Sequence, residues 1–223
     1  MIDHYDLPGG GREAMLRFGP ETGPVVVVAL PLFEEANRVR AFAVSICRAL
    51  AACGVTSVLP DLPGQGESLV PLAECGLEQF SEGIEFAARA LGHDRSLYAV
   101  GIRSGTLLDR LTILNGRWHF APQDGADLVR DLTRVKQFAT AADDTIAGNA
   151  ISTALLDDLI DCVAWTEADG GPVRTVRLNT DAKPADHRVP GMPLWRRAEP
   201  GNDPELAKIL ADDIADWIAA CEG

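Results

Sequence analysis

The clearest chemical pattern in the chain is "YAVGIRSGTLL", Tyr98 to Leu108. An apolar run, then two glycines four positions apart, is the frame of the tight strand-to-helix turn that exposes a nucleophilic serine, Gly-x-Ser-x-Gly. The residue midway between Gly101 and Gly105 is Arg103. A guanidinium stays protonated at any working pH, so it cannot attack an acyl carbon. Ser104 stands one place late, with glycines at the wrong offsets for that turn. Its expected role is to cap the free N–H groups of the following helix.

A second glycine-bearing loop, "PDLPGQGES" (Pro60 to Ser68), follows an apolar strand pattern. It is not a phosphate cradle: the spacing is not Gly-x-Gly-x-x-Gly, no Lys-Ser/Thr follows, and no helix starts there at once. Upstream, "VVVVALPLFEE" places Phe33, Glu34 and Glu35 where a strand hands over to a helix, and acidic residues are favourable in a first helical turn. A cation at position 103 would face a helix N-terminus and needs a partner, which the pattern predicts to be Glu34 or Glu35.

The elements that position these residues alternate. Apolar runs at "REAMLRFGP", "VVVVALP", "VTSVLPD", "SLYAVG", "RWHFAP" and "PVRTVRLNT" read as strands, and "PLWRRAEP" as a last one. Amphipathic stretches over 35–54, 72–91 and "DPELAKILADDIADWIAA" read as helices, the last with Asp203 as N-cap and Pro204 at its first position. That alternation predicts an α/β chain with a mainly parallel central sheet flanked by helices. Residues 1–122 and 172–223 are read as the core, and the acidic segment 123–171 as a small helical cap insertion.

Three landmarks in order carry a family resemblance: "VVVVALPLFEE", the Asp-x-x-Gly-x-Gly-x-Ser loop, and "GIRSG". Together they resemble the α/β-hydrolase superfamily over most of the chain. With "PLFEEANRVR", "DLPGQGES" and "PLWRRAEPG", the chain is most similar to the hydrolase-like proteins associated with the exosortase and exopolysaccharide system of bacteria. The resemblance implies an α/β-hydrolase fold and an acid after the penultimate strand, which Asp181 fits. It also implies a histidine before the terminal helix, where this chain has Gly201 and Asn202. His187, in "DAKPADHRVPG", is the nearest histidine and a candidate base. Where the superfamily carries His-Gly after the first central strand, Leu32-Phe33-Glu34-Glu35 stands here, and a carboxylate beside a developing oxyanion would raise the barrier.

Two functional readings follow. In one, the usual Ser-His-Asp triad is lost, and a pocket floored by Arg103, Glu34, Glu35 and Phe33 is kept for a ligand or partner in exopolysaccharide biosynthesis or export. In the other, Ser104, Asp181 and His187 serve an esterase, thioesterase or acyltransferase acting on a small acyl group.

Composition narrows the partners. The 223 residues carry a net charge of −13. Such a surface repels nucleic acid and anionic lipid, which leaves a small molecule as the expected ligand. A basic protein partner held by the acidic cap, or a second copy of the chain, also fits. The longest apolar run is too short for a membrane span, and the N-terminus lacks the pattern of a signal peptide. Five cysteines without a Cys-x-x-Cys pair read as reduced thiols of a cytoplasmic protein. No cofactor or metal is expected; Asp157, Asp158 and Asp161 have no His or Cys support.

Overall fold

A computed structural model describes residues 1–138, 145–146 and 148–223. Residues 139–144 and 147, within the segment read as a cap, lie outside the described residues. The strands are β1 (Ile2–Asp6), β2 (Arg12–Phe18), β3 (Val25–Ala29), β4 (Thr56–Pro60), β5 (Leu97–Ile102), β6 (Gly116–Phe120), β7 (Val173–Leu178) and β8 (His187–Val189). They form one sheet in the order β1-β2-β4-β3-β5-β6-β7-β8. β1 and β2 run antiparallel at one edge, and every pairing from β4 to β8 is parallel. The helices are α1 (Glu34–Ala52), α2 (Leu77–Leu91), α3 (Gly125–Phe138), α4 (Thr153–Ile160) and α5 (Pro204–Glu222).

β3 shows why the sheet forms where it does. Its four valines are stiff at χ1 and fit a pleated strand, and every residue from Val25 to Ala29 is buried. Alternation along the strand sends Val26 and Val28 into a core shared with α1 and α5. Val27 and Ala29 face the opposite core, which holds Phe80 and Ile84 of α2, Leu128 of α3, and Leu155 and Leu159 of α4. The described helices between β6 and β7 thus cover the sheet on the α2 side. α5 begins as its sequence requires, with the Asp203 carboxylate accepting from the Leu206 N–H and Pro204 at the first position.

Four local readings change. "PLWRRAEP" is not a strand: Leu194–Arg196 is a turn of 3-10 helix, and the last strand is the short β8. The stretch after β5 is a 3-10 turn, Arg103–Leu107, in place of a short α-helix. β1 pairs at the edge and was not foreseen, because "IDHYD" is mostly polar. Residues 72–91 split into a 3-10 turn at Leu72–Glu74 and α2.

β6 carries an unusual buried pair on its second face. The Arg117 guanidinium is buried, with Nε 3.1 Å from Asp109 Oδ2 but not aligned as a hydrogen bond; it also lies 4.2 Å from the centroid of Trp165. His119 is fully buried on the same face, and neither ring nitrogen has a hydrogen-bond partner among the described residues. Burial, reinforced by Arg117 and Arg177, pushes His119 down from its ordinary 6.5 to about 4. Burial likewise pushes Asp109 up to about 6, against the pull of Arg117.

The two groups act on stability in opposite senses. Between pH 6.5 and 4 the unfolded chain holds a proton on His119 that the folded chain refuses, so acidification destabilises through this residue. Between pH 6 and 3.8 the folded chain holds a proton on Asp109 that the unfolded chain releases, so acidification stabilises through that one. His119→Leu removes only the first effect. Relative to the native chain, that variant should gain on the order of 3 kcal/mol when the pH is lowered from 7 to 4. Urea unfolding of both proteins at several pH values checks this, and a constant gap would mean that His119 is not held neutral.

Candidate functional site

The crevice lies at the C-terminal ends of the parallel strands, beside the point where the strand order reverses between β3 and β5. Arg103 opens the turn after β5 with φ 55°, a left-handed conformation costly for a residue with a Cβ. The flanking glycines are dictated by contact. A Cβ on Gly105 would lie 2.3 Å from the Ala29 carbonyl oxygen, and one on Gly101 would lie 2.8 Å from the Thr106 Cα. The strained turn is therefore built in the frame Gly101-x-Arg103-x-Gly105, with arginine at its apex.

Of the two acidic residues expected to partner Arg103, Glu35 does so, with Nε 3.2 Å and Nη2 3.5 Å from its carboxylate oxygens. Glu34 turns instead to Arg38 one helical turn on, at 2.8 Å. Arg103 Nη1 also donates to the Ala121 carbonyl at 3.4 Å, and the guanidinium stacks 4.9 Å from the centroid of Trp195. Trp195 comes from the turn between β8 and α5, the connection in which the resemblance expects a histidine. Asn202, further along that connection, is exposed and donates to Ser45 on α1.

Ser104 is fully buried, and its Oγ accepts from the Leu32 N–H at 2.9 Å. It makes no cap bond to its own turn, contrary to expectation. The next amide, Phe33 N–H, donates to Gln65 Oε1 of the "DLPGQGES" loop at 3.1 Å. Phe33 itself is buried with φ 61°. An oxyanion hole built from the turn after the first central strand needs N–H groups aimed at a substrate oxygen. Both of these donors are occupied by protein acceptors.

The structure does not bring Ser104, Asp181 and His187 together. Asp181 follows β7 and pairs with Arg177 at 2.8 Å, while its other oxygen accepts from the Lys183 N–H. His187 begins β8, in register with Val176 of β7, Phe120 of β6 and Ile102 of β5. Three interstrand spacings, about 14 Å, thus separate its backbone from the end of β5. Its charged neighbour is Asp213 on α5. The expected loop histidine is therefore a strand residue far from the turn that carries Ser104, and no histidine lines the crevice among its described residues.

What the strand ends do assemble is a cleft of about 380 Å³. Arg103, Trp195 and Asp181 border it, together with Gln123, Arg177 and Lys183, which sequence reasoning did not single out. Arg177 is held rigidly, donating to the Pro184 and Pro122 carbonyls as well as to Asp181. In the sequence it is one of two arginines in the strand "VRTVRL", and nothing local distinguishes it from Arg174. Among the described residues no group of three or more His, Cys, Asp or Glu side chains could hold a metal ion, and no helix is long and apolar enough to cross a membrane.

Solved structures resemble this chain throughout. Mouse alpha/beta hydrolase domain-containing protein 10 matches with a TM-score of 0.64 at 14% identity, covering 99% of both chains. Est1E from Butyrivibrio proteoclasticus with bound ferulic acid matches at 0.63 and 13%, covering 98% of each. A malate-bound thermophilic esterase from Thermogutta terrifontis matches at 0.60 and 13%, covering 100% of each. No protein-family model and no curated protein matches the sequence.

Ser104→Ala should leave the buried Leu32 N–H without an acceptor and lower stability by about 1–3 kcal/mol. The urea midpoint reads this, and an unchanged midpoint would mean that the hydroxyl does not tie the two loops. With its strand order, its strained turn after β5 and its structural neighbours, the chain has the α/β-hydrolase fold.

Proposed function

We propose that this chain is a ligand-binding protein built on the α/β-hydrolase fold, without serine-hydrolase chemistry. The observation that carries the reading is Arg103 at the apex of the strained turn, with the neighbouring Ser104 hydroxyl buried and committed to Leu32. Loss of a nucleophile or of its base costs several orders of magnitude in rate, and this crevice is lined by no serine and no histidine among its described residues. The segment 123–171 is the cap of the proposal, since Asp127, Arg130, Asp131 and Arg134 of α3 border the cleft. Similarity of "PLFEEANRVR", "DLPGQGES" and "PLWRRAEPG" to the exosortase-associated proteins supports a cytoplasmic role in exopolysaccharide biosynthesis or export.

The test is intact-protein mass after incubation with a broad fluorophosphonate probe, alongside hydrolysis of p-nitrophenyl acetate. The expected result is no adduct on folded protein and ester turnover equal to buffer. A stoichiometric adduct that disappears in Ser104→Ala would overturn the proposal and establish an activated serine.

A further inference from the structure

The cleft is cationic although the chain is strongly acidic. Six of its border residues are Arg103, Arg130, Arg134, Arg177, Lys183 and Arg196, against the three carboxylates of Asp127, Asp131 and Asp181. The whole chain, by contrast, has a net charge of −13. These cations come from five separate stretches of sequence, so no single solvated helix face accounts for them. Low-dielectric walls strengthen such a field where it is enclosed.

The carboxylates present are already matched. Asp127 receives Lys183 at 2.8 Å and also Arg130, and the Lys183 bond, followed by the Arg130 bond, holds it below the usual carboxylate range. Asp181 is taken by Arg177, and Asp131 lies 3.8 Å from Arg134. Arg196 is exposed, and its guanidinium has no hydrogen-bond or ion-pair partner among the described residues. Arg103 is partly served: its three hydrogen bonds measure 3.2–3.5 Å, long for a charged donor, and a guanidinium has five N–H groups. Counting Glu35, the cleft still carries a surplus of two positive charges.

We propose that this cleft binds a small phosphate monoester, its phosphate held between Arg103 and Arg196. A phosphate monoester is close to a dianion at neutral pH and offers three acceptor oxygens, which match two arginine forks and a surplus of two charges. The volume suits a ligand of monosaccharide size. Rigid Arg177 and the Gln123 side chain, whose Oε1 has no partner among the described residues, stand ready for the uncharged part. The inference rests on the preceding reading in one respect, that the crevice holds a ligand and does not turn over an ester.

The experiment is isothermal titration calorimetry of the full chain in low salt with ribose 5-phosphate, with ribose and malate as comparisons. Ribose 5-phosphate is expected to bind and ribose not to. Arg196→Gln, an exposed change that leaves packing intact, should weaken binding by about fivefold or more, and Arg103→Gln by about tenfold or more. Arg12→Gln, at the far antiparallel edge of the sheet, should leave it unchanged. No heat with ribose 5-phosphate at about 10 mM, or an affinity indifferent to Arg196→Gln, would overturn the proposal. Malate binding as tightly as the phosphate would overturn the phosphate assignment. A serine adduct in the fluorophosphonate experiment would defeat the non-hydrolytic reading without touching this titration, and a null titration would defeat the phosphate proposal without implying an activated serine.

Discussion

The crevice depends on how closely the turn after β5 lies against the end of β3. Glycine at 105 lets the turn come within contact of the Ala29 and Leu30 carbonyls, and the Ser104 hydroxyl then reaches the Leu32 amide. That approach sets the strained geometry at Arg103 and Phe33, both left-handed, and it aims their side chains in opposite ways. Phe33 turns into the core with Leu32, while Arg103 turns to Glu35 and Trp195 at the cleft. A backbone suited to presenting a nucleophile presents a cation instead. The strain of one or two such residues is of order 1–3 kcal/mol each, small beside the packing of two cores that hold the turn on both sides.

Electrostatics then separates the cleft from the rest of the surface. Exposed acidic side chains dominate the chain, yet α3, β7 and the loops after β7 and β8 turn their arginines and lysine to one place. Each carboxylate there is consumed by a neighbour, which leaves the fork of Arg103 incompletely bonded and Arg196 unmatched among the described residues. An ordinary ion-pair network would have balanced itself. Here the imbalance is local, and it lies where open α/β sheets bind their ligands.

Much of the architecture was legible because it is written in local signals. β-branched runs, a terminal Asp-Pro cap and glycines at turns specify the central strands and α5 without help from distant residues. β8 was missed because three residues at a sheet edge carry no period, and "PLWRRAEP" was misread because its apolar pair, Leu194 and Trp195, is buried by a 3-10 turn and not by a strand. At the site, the arginine and its acidic partner were foreseeable from charge at a helix start. The choice of Glu35 over Glu34 was not, because adjacent helical residues point about 100° apart and only the helix axis decides between them. The occupied amides of Leu32 and Phe33, and the gathering of cations from residues 103 to 196, belong to tertiary structure and leave no pattern along the chain.

The stack of Arg103 on Trp195 gives the crevice an optical property. A positive charge held over an indole ring perturbs its excited state more than its ground state, so the emission of Trp195 depends on where the guanidinium lies. The other tryptophans, Trp118, Trp165 and Trp217, sit on different parts of the fold and away from this cation. Any event that draws Arg103 off the ring, from ligand capture to loosening of the turn, is therefore recorded by a chromophore that the protein already carries.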